Sequence, residues 1–410
     1  WTPRAYRAYA GMLFLQLAVG ALAVFVLGPA GVLIPLLFSA NLVDLSLGGL
    51  WYLERSLTMK FVKDAQAKLK KVKPTVVAIT GSYGKTSTKG YVAQIVSGSH
   101  QAVASPASFN NLMGLSKTIN EHLVPGTGVF VAEMGMNAEG RIRELTQWFP
   151  PDIAAITVIG EAHMERLGSK EAIFRAKSEI TEKAATVVIP VDQPELRGLA
   201  DKCERAGKRV IRVSAQGKKA DVVVDVELGT LRYGPKTNPV PLDIPAFGHA
   251  VNIAVALGIA WALEVPSAEA QARVASLPVA AHRAEVAESD AGVVIIDDTY
   301  NSNPTGAQHA VASAAAAAKK RKGPFVTVTP GMVELGPVQA KRNRELAEAV
   351  VSAGGTLMIV GRTNRKALQQ GAKGKAEVFA TRQEAVEAAL RVAGDRGVIL
   401  YENDLPDHYP

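Results

Sequence analysis

The chain has 410 residues, enough for two or three domains of ordinary size. Lys and Arg number 46 against 38 Asp and Glu, and the single cysteine, Cys203, excludes an internal disulfide and a cysteine-only metal site and points to a reducing compartment. The net charge of +8 is concentrated: residues 54–73 carry a net +5, with Arg4 and Arg7 adding two more, which argues against a nucleic-acid face on the globular part and for attraction to anionic lipid.

Ala8 to Val43 contains no charged residue and is interrupted only by the turn signal Gly28-Pro29-Ala30-Gly31. Helices over 8–27 and 32–53 would each be long enough to cross a bilayer, so the pattern predicts a transmembrane hairpin. Basic residues outside both ends place those ends in the cytoplasm, and a buried soluble hairpin is the alternative. Asn41 and Asp44 would share one face of the second helix, fit either to bind a polar head group or to pair with another membrane helix. The chain starts at Trp1 rather than Met, so membrane segments upstream stay open. Phe61 to Val72 reads as a basic amphipathic helix, and Pro74 opens the soluble part.

The β-branched run Thr75 to Ile79 predicts a strand, and it enters Thr80-Gly81-Ser82-Tyr83-Gly84-Lys85-Thr86-Ser87. Glycines at a strand end let the backbone turn tightly and present N–H groups to a phosphate chain, while the helix that follows favours anions at its N-terminus. The segment is a short Gly-x-x-Gly-Lys-Thr variant of the phosphate loop, with Lys85 for the β- and γ-phosphates and the Thr86 hydroxyl for Mg²⁺. A plain strand–turn–helix corner is the structural alternative. Further strands are expected at 129–132, running into Glu133, and at 153–158, running into Gly160 to Glu165. A helix should start near Ser169, with Ala172 and Ile173 turned inward, and carry Lys177 and Glu179. Short strands follow over 220–245, then a helix over 250–263, and Pro278 to Arg283 breaks the pattern. Beyond it the chain predicts strands at 292–296, 325–328, 356–360, 377–380 and 397–401, separated by helices. Alternation of strand and helix implies α/β domains with parallel sheets and ligand groups at strand ends.

With these residues in view the chain resembles the Mur ligases, most nearly the MurF type that adds a D-alanyl-D-alanine dipeptide to a muramyl peptide. The resemblance covers about residues 75–400. Thr80 to Lys89 matches the ATP loop, Phe109-Asn110-Asn111 with Gly114 resembles the substrate-side Asn-Asn motif, and Asp297 to Pro304 follows the family's Asp-Asp-x-Tyr-Asn-x-Asn-Pro. An apolar segment stands where family members carry the domain that grips the UDP-sugar. The resemblance implies a central ATPase domain at 74–284 and a Rossmann-like domain at 285–410, behind a membrane-associated segment at 1–73.

It further implies that ATP phosphorylates a carboxylate and that an amine displaces phosphate from the acyl phosphate, a transfer that depends on positioning and on charge neutralisation by Mg²⁺. Thr86 and Glu133 would hold one Mg²⁺, and His163 with Lys177, carbamylated so as to present oxygens, would hold a second. Arg283 would reach the γ-phosphate on domain closure, Asn252 would meet the adenine, Asp298, Asn301 and Asn303 would make nucleotide and interdomain contacts, and Asn110 and Asn111 would face substrate. Each has a plain alternative: Glu133 as a helix cap, His163 as a buried histidine, Lys177 as a surface lysine, and the Asp298 to Asn303 segment as an Asx-rich turn. The expected enzyme is a membrane-anchored ATP-dependent amide ligase facing the cytoplasm. Its acceptor would be a cell-envelope precursor, free or lipid-linked, its second substrate an amino acid or short peptide, and its hairpin a place for membrane lipid or a membrane-protein partner. A MurF-type enzyme on a soluble UDP-linked substrate and a nucleotide-binding membrane scaffold are the alternatives.

Overall fold

The computed structural model describes residues 3–244, 249–278, 285–289, 292–300 and 302–403. Backbone contacts divide the chain into one unit of residues 1–71 with 119–121 and a second of 72–118 with 122–410.

In the first unit a helix, Pro3–Leu27, is followed by a three-ten turn at Gly28–Val32, a short helix at Leu33–Leu37 and a long one at Ser39–Val72. The turn falls where Gly28 and Pro29 interrupt the apolar run. The expected hairpin is met in part: among the described residues one stretch, Ala5–Leu37, is long and apolar enough to cross a membrane, and the helix Ser39–Val72 carries the rest of the expected second span without meeting that test. The reason is local. Nothing between Ser39 and Val72 breaks a helix, since Gly48 and Gly49 only weaken one, so the second apolar half fuses with the basic segment into a single 34-residue helix. Phe14, Leu17, Phe25 and Leu37 are exposed, an apolar surface of the kind that lipid or another protein covers.

The second unit contains two sheets. The first has nine strands, β1 (Thr75–Thr80), β2 (Ala102–Ala104), β3 (Val129–Glu133), β4 (Ile153–Ile156), β5 (Thr186–Pro190), β6 (Arg209–Ser214), β7 (Val222–Asp225), β8 (Thr230–Tyr233) and β9 (Val240–Pro241). Their order is β2-β3-β1-β4-β5-β6-β7-β8-β9, parallel through β7 and antiparallel over the last two pairings. β1 is buried from Val76 onward, as befits a parallel strand covered on both faces. The helix Ala250–Ala262 is buried from Asn252 to Ala260 and packs on the sheet with the helix Lys85–Val96 in one continuous core.

The second sheet has β10 (Glu285–Glu288), β11 (Val294–Asp298), β12 (Phe325–Thr329), β13 (Thr356–Val360), β14 (Ala376–Phe379) and β15 (Val398–Glu402), in the order β10-β11-β15-β12-β13-β14. Only β10 runs antiparallel. The alanine-rich helix Pro304–Arg321 lies on one face, because small side chains let helix and sheet approach, and the helix Arg382–Ala393 lies on the other. β1, β3, β11, β12 and β15 end in Thr80, Glu133, Asp298, Thr329 and Glu402, which places polar groups at the carboxyl ends of the sheets.

Candidate nucleotide site

β1 ends at Thr80, and the loop 81–84 then turns into the helix Lys85–Val96. Gly84 caps that helix at φ 79°, a left-handed conformation that a side chain would strain, and a Cβ there would come within 2.2 Å of the Asn252 side chain. The Gly81 carbonyl accepts from Lys85 Nζ at 2.8 Å and from Lys177 Nζ at 3.0 Å, so one loop peptide gathers both lysines. Ser82 and Tyr83 are tied to the segment after β4, Ser82 Oγ accepting from Gly160 N at 2.9 Å and the Tyr83 hydroxyl from Glu161 N at 3.0 Å. Ser87 is half-buried in the first helical turn.

Glu133 ends β3 directly beside Ile79 of β1. Its Oε2 accepts from the Thr86 hydroxyl at 3.0 Å and from Lys89 Nζ at 3.1 Å, and its Oε1 from Asn110 Nδ2 at 3.1 Å. Burial alone would raise the Glu133 carboxyl, but the Lys89 and Lys85 charges and the Asn110 hydrogen bond outweigh it and hold the group below its ordinary value. Glu133 is therefore an ionised strand-end carboxylate and no helix cap. Lys89, which the sequence reading gave no role, is its ion-pair partner with 6% side-chain exposure. The signal was present: Lys89 stands four residues after Lys85 and so on the same helix face. Glu133→Ala takes the carboxylate from that buried ammonium, leaving it the Ala107 carbonyl, and is expected to lower the unfolding free energy by about 3 kcal/mol, measured by urea denaturation.

The Thr86 and Glu133 oxygens fit a magnesium ion. Adjacent oxygens of an octahedral Mg²⁺ at about 2.05 Å stand about 2.9 Å apart, close to the 3.0 Å found here. Among the described residues no three His, Cys, Asp or Glu side chains gather into a metal cage, so phosphate oxygens and water would have to complete the shell.

Lys177 is 1% exposed, in the helix Lys170–Ser178 that Ser169 caps by accepting from Ala172 N at 3.2 Å. Burial, and after it the Lys85 charge, pushes its amine well below the ordinary lysine value. It is a buried amine and no surface lysine. Ala172 and Ile173 turn inward as expected, while Glu179 begins a three-ten turn past the helix end.

Other expected residues are placed differently. His163 adopts φ 66° and points its Nδ1 at Glu334 Oε2, 3.0 Å away, so it is partly exposed and turned to the second sheet's loops, while Lys177 donates to the Gly81 carbonyl. Asn252 is buried at 3% exposure beneath Gly84, where it braces the loop. Asn110 reaches Glu133, but Asn111 accepts from Gly114 N at 2.9 Å and caps the next helix. Asn303 likewise caps the helix Pro304–Arg321 through Gly306 N at 2.9 Å, the Asx arrangement weighed for that segment. Asp298 ends β11 in register with Glu402 of β15, whose carboxyl is raised by burial and then by Asp298. Arg283 and Asn301 lie outside the described residues.

A glycine loop at the carboxyl edge of a parallel sheet, with a Thr–Glu oxygen pair, two converging lysines and a second parallel-sheet domain reaching the same edge, is the arrangement of the phosphate-loop class. Residues 79–260 match the Mur ligase middle domain and residues 282–401 the Mur ligase glutamate ligase domain, together most of the chain. The chain belongs to the Mur ligase family. A UDP-N-acetylmuramoyl-tripeptide–D-alanyl-D-alanine ligase of Mycobacterium leprae is 33% identical over 265 residues, 60% of this chain and 51% of that protein. The enzyme of that name from Bacillus subtilis is 30% identical, over 70% of this chain and 62% of its own length. The chain thus spans about half to two thirds of these two relatives. The crystal structure of MurF from Acinetobacter baumannii superposes with a TM-score of 0.73 at 22% identity, covering 84% of this chain and 77% of that one. MurF from Thermotoga maritima in complex with ADP gives 0.71 at 24% identity, over 84% and 80%. At such identities these two show the shared fold.

Proposed function

We propose that the protein is an ATP-dependent carboxylate–amine ligase of the MurF type, joining a D-alanyl-D-alanine dipeptide to a UDP-linked muramyl tripeptide. The observation that carries the reading is the convergence of Lys85 and Lys177 on the Gly81 carbonyl beside the Thr86–Glu133 pair. Binding of nucleotide alone needs the loop and one metal-binding oxygen pair. A second lysine, buried at the same peptide with its amine pushed well below the ordinary lysine value, goes beyond that need and suits a group that reacts with carbon dioxide to present oxygens.

The loop amides and the Lys85 ammonium would hold the triphosphate and offset charge on the transferred phosphoryl group. Magnesium, held by Thr86 and Glu133, would neutralise phosphate charge and orient the γ-phosphate toward the carboxylate. Glu133 stays ionised for this through Lys89, and Asn110 fixes its orientation. The amine must reach the acyl phosphate before water does, a task for the Glu334 loop and the helix Gln339–Ser352 of the second sheet, which reach His163 and Glu161.

The choice of acceptor rests on the relatives, whose names carry the UDP-linked substrate; a lipid-linked acceptor has only the apolar N-terminal stretch in its favour and is not retained. That stretch would tether the ligase at the cytoplasmic face of a membrane. The test is mass analysis of the product formed from ATP, UDP-muramyl tripeptide and D-alanyl-D-alanine. A pentapeptide product with phosphate release dependent on both substrates is expected; nucleotide binding with no amide product under any acceptor would favour the scaffold reading.

A further inference from the structure

The segment Ile159–Arg166, which follows β4, touches both halves of the catalytic unit. On one side it supports the phosphate loop. Gly160 N donates to Ser82 Oγ, Glu161 N donates to the Tyr83 hydroxyl, and a Cβ on Gly160 would stand 2.3 Å from a Tyr83 ring carbon, so that ring rests on the Gly160 backbone. The Tyr83 main chain is held from below as well, its carbonyl accepting from the Thr157 hydroxyl.

On its other side the segment meets the second domain. Arg342 forms a bidentate pair with Glu161 at 2.7 and 2.5 Å and spends its remaining nitrogen on Glu345 at 2.7 Å. Glu334 reaches His163 at 3.0 Å and Arg166 at 3.4 Å. The Arg342–Glu161 pair is partly buried, with side-chain exposures of 30% and 18%, and its fork geometry fixes the Glu161 carboxylate in two directions. An exposed single contact would be worth little; a bidentate, partly desolvated one holds its backbone in place. A cavity of about 470 Å³ lies beside the pair, lined among others by Tyr83, Gly160, Pro304, Gln308 and Arg342, so the contact spans the wall between loop and second domain.

We propose that Arg342 is a positioning residue for the phosphate loop: by gripping Glu161 it fixes the Gly160–Glu161 peptide on which Ser82 and Tyr83 rest, so that docking of the second domain and the loop's hold on nucleotide are coupled. Coupling of this kind is reciprocal, and a docked domain tightens nucleotide binding as much as nucleotide favours docking. The proposal rests on the nucleotide reading of the loop but not on which amide is made.

Binding of a fluorescent ADP to the full chain in detergent tests it without reference to ligase chemistry. Arg342→Glu and Glu161→Arg are each expected to weaken binding about tenfold, a coupling of ordinary size. The double exchange, which restores an ion pair of reversed polarity, should recover most of that loss. In a Tyr83→Phe background, which removes the acceptor of the Glu161 N–H and leaves the Ser82 support, Arg342→Glu should cost less than it does in the wild-type chain. Single variants that bind like the wild type, an exchange that fails to recover, or losses that add in the Tyr83→Phe background would overturn the coupling. A wild-type chain that binds no nucleotide would overturn the loop reading beneath it.

Discussion

Lys85→Ala is expected to lower ATP turnover by about 10³-fold, measured as substrate-stimulated phosphate release. Lys85 opens the loop helix, is tethered by the Gly81 carbonyl and lies near enough to depress both Lys177 and Glu133 electrostatically. Removing it deletes the loop's own cation where phosphoryl charge would develop. The fold should survive, since the side chain is only half-buried. Turnover at the wild-type rate in the variant would show that the loop does not handle the transferred phosphate.

The second large effect is expected at Lys177. Lys177→Ala should lose activity by a similar factor, about 10³-fold, and regain part of it when short carboxylic acids are added, because these can supply the oxygen pair of a carbamylated lysine. Stability should move the other way. The folded state keeps the unmodified amine neutral well below the usual lysine value, whereas the unfolded chain protonates it near about 10.4. Between those two values the unfolded state binds more protons, so stability rises with pH through that window and is flat below it. Lys177→Met removes the titrating group and should abolish that rise while remaining inactive. A fully active Lys177→Ala at limiting Mg²⁺ would contradict the assignment, and the pH dependence of urea unfolding separates a role in chemistry from a role in folding.

What the sequence made legible was local or carried by a motif. β1 and its loop could be read because a β-branched run, two glycines, a lysine and a hydroxyl fall within a dozen residues, and Ser169 could be read as a cap from its neighbours. What it could not show were pairs distant along the chain. Glu133 meets Lys89 across 44 residues, Glu161 meets Arg342 across 181, and His163 meets Glu334 across 171. No periodicity links such partners; only the stacking of strand ends brings them together. The same limit applies to Asn252 and Asn303, whose present neighbours, Gly84 and the Gly306 N–H, are the loop and a helix end. The N-terminal segment was legible in its turn and less so in its helix ends. Hydropathy marks where a span could lie, but helix boundaries follow breakers, and none separates the second apolar stretch from the basic residues that follow.

The central claim is that a carboxylate is activated by direct transfer of the γ-phosphoryl group, and an isotope measurement addresses it most directly. A UDP-muramyl tripeptide labelled with ¹⁸O in its terminal carboxylate is incubated with ATP, Mg²⁺ and D-alanyl-D-alanine, and the released phosphate is weighed by mass spectrometry. One ¹⁸O atom passing from the carboxylate into inorganic phosphate, together with ADP, is the predicted result. Unlabelled phosphate, or release of AMP and pyrophosphate, would contradict it.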